Sequence, residues 1–295
     1  MRKIIERKMS ILSILSILII LSILLFLLIG CSVQPNKTGD LVSKSIFIED
    51  IPVIETYIDD GKEKPLLIIQ HGFKNRKESM VEFSKELAEK GFFVVAPDAY
   101  AHGERFEKPC SLVEVIVNTS KEYDRIIDDY NWDERVNNKS IGVVGFSMGG
   151  CIAFHYTAYG EHPVRAIAPT ISTPYFEQLM GSNLGKSLYS AKSGLEIASQ
   201  QDRIDQINQF ILDNSPFEDC KSLRDVAILM QNGELDTYID SEGVKMLNTA
   251  LKPINKDVQL IMVPDIKHQV SSDMKDNIVT FMCKYLLPDA QNNLH

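Results

Sequence analysis

One serine lies in a setting suited to nucleophilic chemistry. The stretch GVVGFSMGG at residues 142–150 places Ser147 in a Gly-x-Ser-x-Gly pattern. An apolar run precedes this pattern and a helix-like segment follows it, which is the strand-to-helix context of a nucleophile elbow. Gly145 and Gly149 leave room for a sharp turn that lifts the hydroxyl clear of the backbone. We therefore predict that Ser147 is a nucleophile, activated by a neighbouring base.

His268 is the histidine best placed to act as that base, among six in the chain. It lies in VPDIKHQV, directly after the last predicted strand and before the final helix. A serine in such an elbow is followed along the chain first by its acid and then by its histidine. His155 lies eight residues along the helix after Ser147 and cannot reach back to it, and His295 ends the chain. The alternative interpretation of His268 is a surface loop histidine.

The acid that would orient this histidine is sought in NGELDTYID, which contains Glu234, Asp236 and Asp240. Asp236 lies three residues past Gly233, far enough along the loop to turn back towards the site. Its carboxylate would accept the imidazole N–H and fix the tautomer, so we predict Asp236 as the acid. Glu234 is the second choice, and Asp240 is interpreted as a solvated helix start. Asp98 precedes the serine and is interpreted as holding its own loop together.

A tetrahedral intermediate also needs two backbone N–H donors. The amide of Met148 comes directly after the nucleophile, at the start of the helix, and is predicted as one of them. The other is predicted in QHGF, after a buried strand, where Gly72 permits a close approach and the amide of Phe73 would donate. His71 is interpreted as a structural residue that braces this loop.

Strand-like and helix-like segments alternate from about residue 45 onwards. This order predicts an α/β fold with a mostly parallel sheet, helices on both faces and a site at the carboxyl ends of the strands. Two alternating runs in KSIFIEDIPVIETYID predict antiparallel edge strands. Residues 174–222 contain no buried strand and are predicted to form an insertion above the sheet. That insertion would be a cap over the site or, as an alternative, a packed helical excursion; the whole domain would span 45–289.

The composition is that of a globular protein with a substantial core. The chain has 295 residues, 44% of them hydrophobic and 24% charged, with a formal net charge of −9. No concentration of basic residues suggests a nucleic-acid partner. The cysteines after residue 31 are scattered, without the paired close spacing of a zinc site, and no metal site is predicted. A disulfide between Cys110 and Cys220 is left open.

The first thirty residues differ in character from the rest. A basic start precedes an uncharged apolar run of about twenty residues, which is typical of an export signal and long enough to span a bilayer. The run ends in LLIGC, which resembles the lipobox of bacterial lipoproteins. That resemblance implies removal of 1–30, a lipid on Cys31, a linker over 31–44, and a domain held at the cell membrane on its extracytoplasmic side. An uncleaved N-terminal anchor is the alternative.

The segments QHGF, APDAYAHGER, GFSMGG, NGELDTYI and KHQV together resemble the α/β-hydrolase family, over about residues 65–285. LAEKGFFVVAPDAYAHGER further resembles the bacterial esterases related to dienelactone hydrolases and prolyl oligopeptidases. The resemblance implies hydrolysis of a small-molecule carboxylic ester through an acyl-enzyme, with no metal or organic cofactor. The nucleophile is a serine, whereas true dienelactone hydrolases use a cysteine, which argues against that particular activity. A peptidase of the prolyl-oligopeptidase type and a non-catalytic, surface-anchored binding protein are the alternatives.

Overall fold

The computed structural model describes residues 39–106, 111–181, 208–217 and 220–287. Three predicted features lie outside these ranges: the export segment at 1–30, the lipidation site Cys31, and Cys110 of the disulfide left open above. The predictions made for them therefore stay predictions. Within the described ranges, no helix combines the length and the apolar character needed to cross a membrane.

One sheet of eight strands forms the centre of residues 39–287. The strands are β1 (Asp40–Ile48), β2 (Ile51–Asp59), β3 (Lys64–Gln70), β4 (Phe93–Pro97), β5 (Val136–Phe146), β6 (Ala166–Thr170), β7 (Ala227–Gly233) and β8 (Val258–Val263). Their order across the sheet is β1-β2-β4-β3-β5-β6-β7-β8. Only β1 with β2 and β2 with β4 are antiparallel, and the other described pairs are parallel. The predicted parallel sheet with an antiparallel edge is confirmed.

Helices cover both faces of this sheet, as predicted. They are α1 (Val81–Glu89), α2 (Leu112–Asp129), α3 (Met148–Tyr159), α4 (Phe176–Gly181), α5 (208–213), α6 (Glu242–Leu251) and α7 (Ser272–Leu286). Helices α2, α3 and α6 contribute to one apolar cluster, whereas α1 and α7 contribute to a second cluster on the opposite face. Strands β3, β4, β6 and β7 are buried along their whole length, which explains their continuous apolar sequences.

The folded domain begins earlier than the predicted boundary at residue 45. Strand β1 starts at Asp40, which is paired with Asp59 at the far end of β2. Most side chains of β1 are exposed, because it is the edge strand, and its polar first half therefore has the composition of a linker. The predicted linker over 31–44 is thus wrong for its last residues, which are part of the sheet.

The predicted insertion at 174–222 is described only at its two ends. Helix α4 and the helical residues 208–213 lie there, while 182–207 and 218–219 are outside the described residues. Phe176, Leu179 and Ile211 are buried in the apolar cluster that α2 and α3 share. Tyr159 of α3 also donates a hydrogen bond to the carbonyl of Ser215, at 3.1 Å. Both ends of the insertion therefore pack on the same face of the sheet.

Candidate active site

Ser147 occupies the turn between β5 and α3, in a backbone conformation that few residues adopt. Its φ is 56° and its ψ is −116°, and a non-glycine residue held there costs about 1–3 kcal/mol. The amide of Ser147 donates to the carbonyl of Thr170 at 2.9 Å, so the next strand holds the turn in place. This strained strand-to-helix turn is the geometry that the sequence pattern predicts.

The two glycines of the motif are required by close contacts. A Cβ on Gly145 would lie 2.0 Å from the carbonyl oxygen of Gly149, at the start of α3. A Cβ on Gly149 would lie 2.3 Å from the carbonyl oxygen of Gln70, the last residue of β3. The pattern Gly-x-Ser-x-Gly thus lets α3 approach both its own strand and the neighbouring one.

Ser147, His268 and Asp236 form one chain of hydrogen bonds. The Ser147 Oγ lies 2.8 Å from the His268 Nε2, and the His268 Nδ1 lies 2.7 Å from the Asp236 Oδ2. The other carboxylate oxygen of Asp236 accepts from the amides of Tyr238 at 2.8 Å and Ile239 at 3.1 Å. The Asp236 side chain is fully buried, whereas that of His268 is 19% exposed. This arrangement favours the tautomer with its proton on Nδ1, which leaves Nε2 free to accept a proton from the serine.

Adjacent strand ends bring the acid and the histidine together. Asp236 lies in a turn after β7, and Glu234 in the same turn donates its amide to the carbonyl of Val263 in β8, at 3.0 Å. A Cβ on Gly233 would lie 2.2 Å from the carbonyl oxygen of Ile266, so the loops after β7 and β8 are in tight contact. The Glu234 side chain is exposed, and Asp240 lies just before α6 and accepts from the amide of Glu242. Of the three acids considered, Asp236 is the one bonded to His268.

The predicted oxyanion donors lie on both sides of Ser147. Met148 is the first residue of α3, and the dipole of that helix places positive potential at its N-terminus. Gly72 lies against Ser147, since a Cβ there would be 3.5 Å from the Cβ of Ser147. Phe73 follows in a turn that the Asn75 amide closes by donating to the Gly72 carbonyl at 3.2 Å. Within the described ranges, the amides of Phe73 and Met148 have no protein acceptor.

His71 holds the start of this loop, consistent with its interpretation as a brace. Its Nε2 accepts from the amide of Ala99 at 3.1 Å, and its Nδ1 donates to the carbonyl of Gly72 at 2.8 Å. Burial lowers the pKa of His71 to about 4, despite the opposing effect of the bond to Gly72. The ring is therefore neutral wherever the fold is intact near neutral pH, which preserves its acceptor for Ala99.

Acid should destabilise the fold through its buried histidines. Burial lowers the pKa of His155, as it does that of His71, to about 4, whereas an unfolded histidine titrates near 6.5. Below that pH the unfolded chain binds protons that the folded chain does not, so the free energy of unfolding should fall as the pH drops from about 6.5 to 4. At pH 5 the expected loss is about 2 kcal/mol for each histidine.

Chemical denaturation at pH 7 and pH 5 checks this expectation. The His155→Gln variant removes one of the buried histidines and should show a smaller loss between these pH values than the wild type. Equal losses in the two proteins would contradict the role assigned to His155, and a wild-type midpoint that does not move would contradict both assignments.

The described residues contain no cluster of three or more His, Cys, Asp or Glu side chains able to hold a metal ion. Cys151 is a free, fully buried thiol, and burial raises its pKa to about 12. It therefore stays protonated at neutral pH, one helical turn after Ser147.

Comparisons with known proteins agree with this architecture. Residues 65–181 match the family model of the alpha/beta hydrolase fold. A crystal structure of TT1662 from Thermus thermophilus superposes with a TM-score of 0.64 at 19% identity, over 84% of this chain and 99% of that one. The chain has the α/β-hydrolase fold.

Two further comparisons show similarity between this chain and proteins named as hydrolases. The chain is 28% identical over 254 residues to Esterase YjfP of Escherichia coli, a match that covers 81% of this chain and 97% of that protein. A crystal structure of a putative dienelactone hydrolase from Klebsiella pneumoniae superposes with a TM-score of 0.59 at 14% identity, over 85% of this chain and all of that one. The predicted α/β-hydrolase fold is thereby confirmed.

Proposed function

We propose that this chain hydrolyses carboxylic esters of small molecules through a Ser-His-Asp triad and an acyl-enzyme intermediate. The observation that carries the proposal is the continuous hydrogen-bond chain from Ser147 through His268 to Asp236. It lies at the carboxyl ends of the parallel strands, where this class of sheet binds its ligands. The similarity to an Escherichia coli protein named as an esterase supports an ester as the substrate.

Acylation uses the groups of this chain in a defined order. The Ser147 Oγ attacks the ester carbonyl while the His268 Nε2 takes its proton. The buried Asp236 carboxylate accepts the Nδ1–H and stabilises the imidazolium that forms. The amides of Phe73 and Met148 donate to the oxyanion, and His268 then returns the proton to the departing alkoxide. The products of this half-reaction are the free alcohol and acylated Ser147.

Deacylation repeats these steps with water as the nucleophile. His268 takes a proton from a water molecule that attacks the acyl carbonyl, and the same two amides hold the second oxyanion. Collapse of that intermediate breaks the bond to Ser147, which regains its proton from His268 and releases the carboxylic acid. Every proton transfer therefore passes through one imidazole whose orientation Asp236 fixes.

A fluorophosphonate probe and a series of p-nitrophenyl esters test the proposal on the full-length chain in detergent. We expect one covalent adduct, mapped by mass spectrometry to Ser147, and release of p-nitrophenol from short acyl esters. Peptide p-nitroanilides measured in parallel test the peptidase alternative, which predicts faster cleavage of the anilides. A folded protein that is neither labelled nor active on either substrate class would contradict the proposal and favour a non-catalytic binding protein.

A further inference from the structure

Lys77 is a fully buried lysine close to the active site. It begins a short 3₁₀ turn, Lys77–Met80, that follows the loop carrying Phe73. Its ammonium donates to the Asp98 Oδ2 at 3.1 Å, and it also contacts the carboxylates of Glu78 and Glu104. Lysine is rarely buried unless it is paired, and the desolvation of an ammonium is offset only by good partners. Of these three carboxylates, that of Asp98 is the fully buried one.

Asp98 links two loops through both of its oxygens. Its side chain is fully buried after the end of β4, and its Oδ1 accepts from the backbone amide of Lys77 at 2.8 Å. Its Oδ2 accepts from the Lys77 ammonium and from the amide of Glu104, the latter at 3.0 Å. Gly103 has a φ of 56°, and a Cβ there would lie 2.1 Å from the Asp98 Cγ. The chain thus folds closely around this carboxylate.

The segment between Gly72 and Lys77 is held at both of its ends. At one end His71 accepts from the amide of Ala99, and at the other end Lys77 binds Asp98. The two partners, Asp98 and Ala99, are consecutive residues directly after β4. Between these two ends, Gly72 lies against Ser147, and Phe73 and Lys74 follow it. The φ of Lys74 is 61°. The position of the Phe73 amide therefore depends on these two anchors.

The Lys77 ammonium stays charged at neutral and mildly alkaline pH. Burial alone would lower the pKa of this ammonium, but hydrogen bonds to Glu104, Glu78 and Asp98 outweigh burial and raise the pKa above its ordinary value. Deprotonation of this ammonium therefore does not release the link between the two loops at mildly alkaline pH.

We propose that Lys77 is a positioning residue: clamped by Asp98, it holds the 72–76 loop so that the Phe73 amide points at the developing oxyanion. This inference rests on the proposed function, because it assigns a support to one of the donors in that mechanism. The oxyanion exists in the transition state and not in the bound ester, so a misplaced donor lowers kcat and leaves KM nearly unchanged. Misplacement of a catalytic group by about 1 Å can cost about 100-fold in rate.

The Lys77→Met variant tests this role against a matched control, Lys64→Met. Lys64 is also buried, lies at the opposite end of β3, and binds the Lys62 carbonyl and Asp60. Rates are measured on p-nitrophenyl butyrate and divided by the number of sites that the fluorophosphonate titrates, so that unfolded protein does not count. We expect kcat per titrated site to fall about 10- to 100-fold for Lys77→Met at similar KM, and to stay within about two-fold of wild type for Lys64→Met.

The charge-balanced variant Lys77→Met/Asp98→Asn covers the case in which the single variant does not fold. It leaves no buried carboxylate unpaired and still lacks the bond from the ammonium to residue 98, so it should show the same loss of kcat per site. The affinity for a phenylboronic acid, whose tetrahedral adduct occupies the oxyanion site, should fall by a factor similar to the loss of kcat. A folded Lys77 variant with wild-type kcat per site in an active enzyme would overturn this inference alone. An inactive wild type would overturn the proposed function and this inference with it.

Discussion

Replacement of Ser147 by alanine should lower kcat/KM for p-nitrophenyl esters by about 10⁴-fold or more and abolish fluorophosphonate labelling. The Ser147 Oγ is the one atom in the hydrogen-bond chain that can form the acyl bond, and alanine leaves His268 with no hydroxyl to deprotonate. Any residual rate would come from binding and from the oxyanion donors. Initial rates, corrected for the uncatalysed reaction, measure the effect.

The chain offers a matched control in a second serine–histidine pair, which is buried. The Ser120 Oγ lies 2.8 Å from the His155 Nδ1, between α2 and α3. The Ser120→Ala variant removes the same atom from the same kind of pair away from the elbow, and its kcat/KM should stay close to that of the wild type. Persistent labelling of the Ser147→Ala protein would mean that another residue is the nucleophile.

Replacement of Asp236 by asparagine should lower kcat by about 10³- to 10⁴-fold with little change in fold. The reason lies in the hydrogen bonds to the Asp236 Oδ1, the carboxylate oxygen that does not bind His268. The amides of Tyr238 and Ile239 both donate to the Asp236 Oδ1, so the carbonyl of an asparagine must occupy that position. Its NH₂ group then faces the His268 Nδ1 and donates to it. The imidazole proton moves to Nε2, which can no longer accept a proton from Ser147.

Two neighbouring acids serve as controls for this variant. Asp240→Asn alters an acid that accepts from the first amide of α6, and it should leave kcat nearly unchanged. Glu234 was the alternative orienting acid from sequence, and its side chain is exposed, so Glu234→Gln should also be nearly neutral. An Asp236→Asn protein that keeps a tenth of wild-type kcat, beside an inactive Glu234→Gln protein, would reverse the assignment. Rates on p-nitrophenyl acetate decide between the two acids.

The elements that position this site were predictable because their sequences carry strong local signals. Continuous apolar runs indicated the buried strands, and the motif around Ser147 indicated both its turn and the start of α3. The location of His268 followed from chain order after the last strand. The choice among Glu234, Asp236 and Asp240 was less constrained, because it depends on how the loops after β7 and β8 contact each other at Gly233.

Other features depend on contacts that no local pattern reveals. Lys77 lies in the charged stretch NRKES, whose composition indicates a solvent-exposed segment. Its burial depends on Asp98, 21 residues away, and on Glu104, 27 residues away. The start of β1 was missed for a related reason, since an exposed edge strand has the polar composition of a linker. In both cases the tertiary partner decides the structure.

The half-exposed edge strand β8 has a consequence for how activity responds to loss of stability. Ser147 follows β5, a strand in the middle of the sheet. Its hydrogen-bond partner His268, 121 positions later, follows β8, which has one neighbour in the described sheet. Peripheral elements open locally at a lower free energy than the core. Brief fraying of β8 would separate base from nucleophile while most backbone hydrogen bonds remain intact. For the proposed triad, we therefore expect activity to be lost under milder denaturing conditions than the fold as a whole.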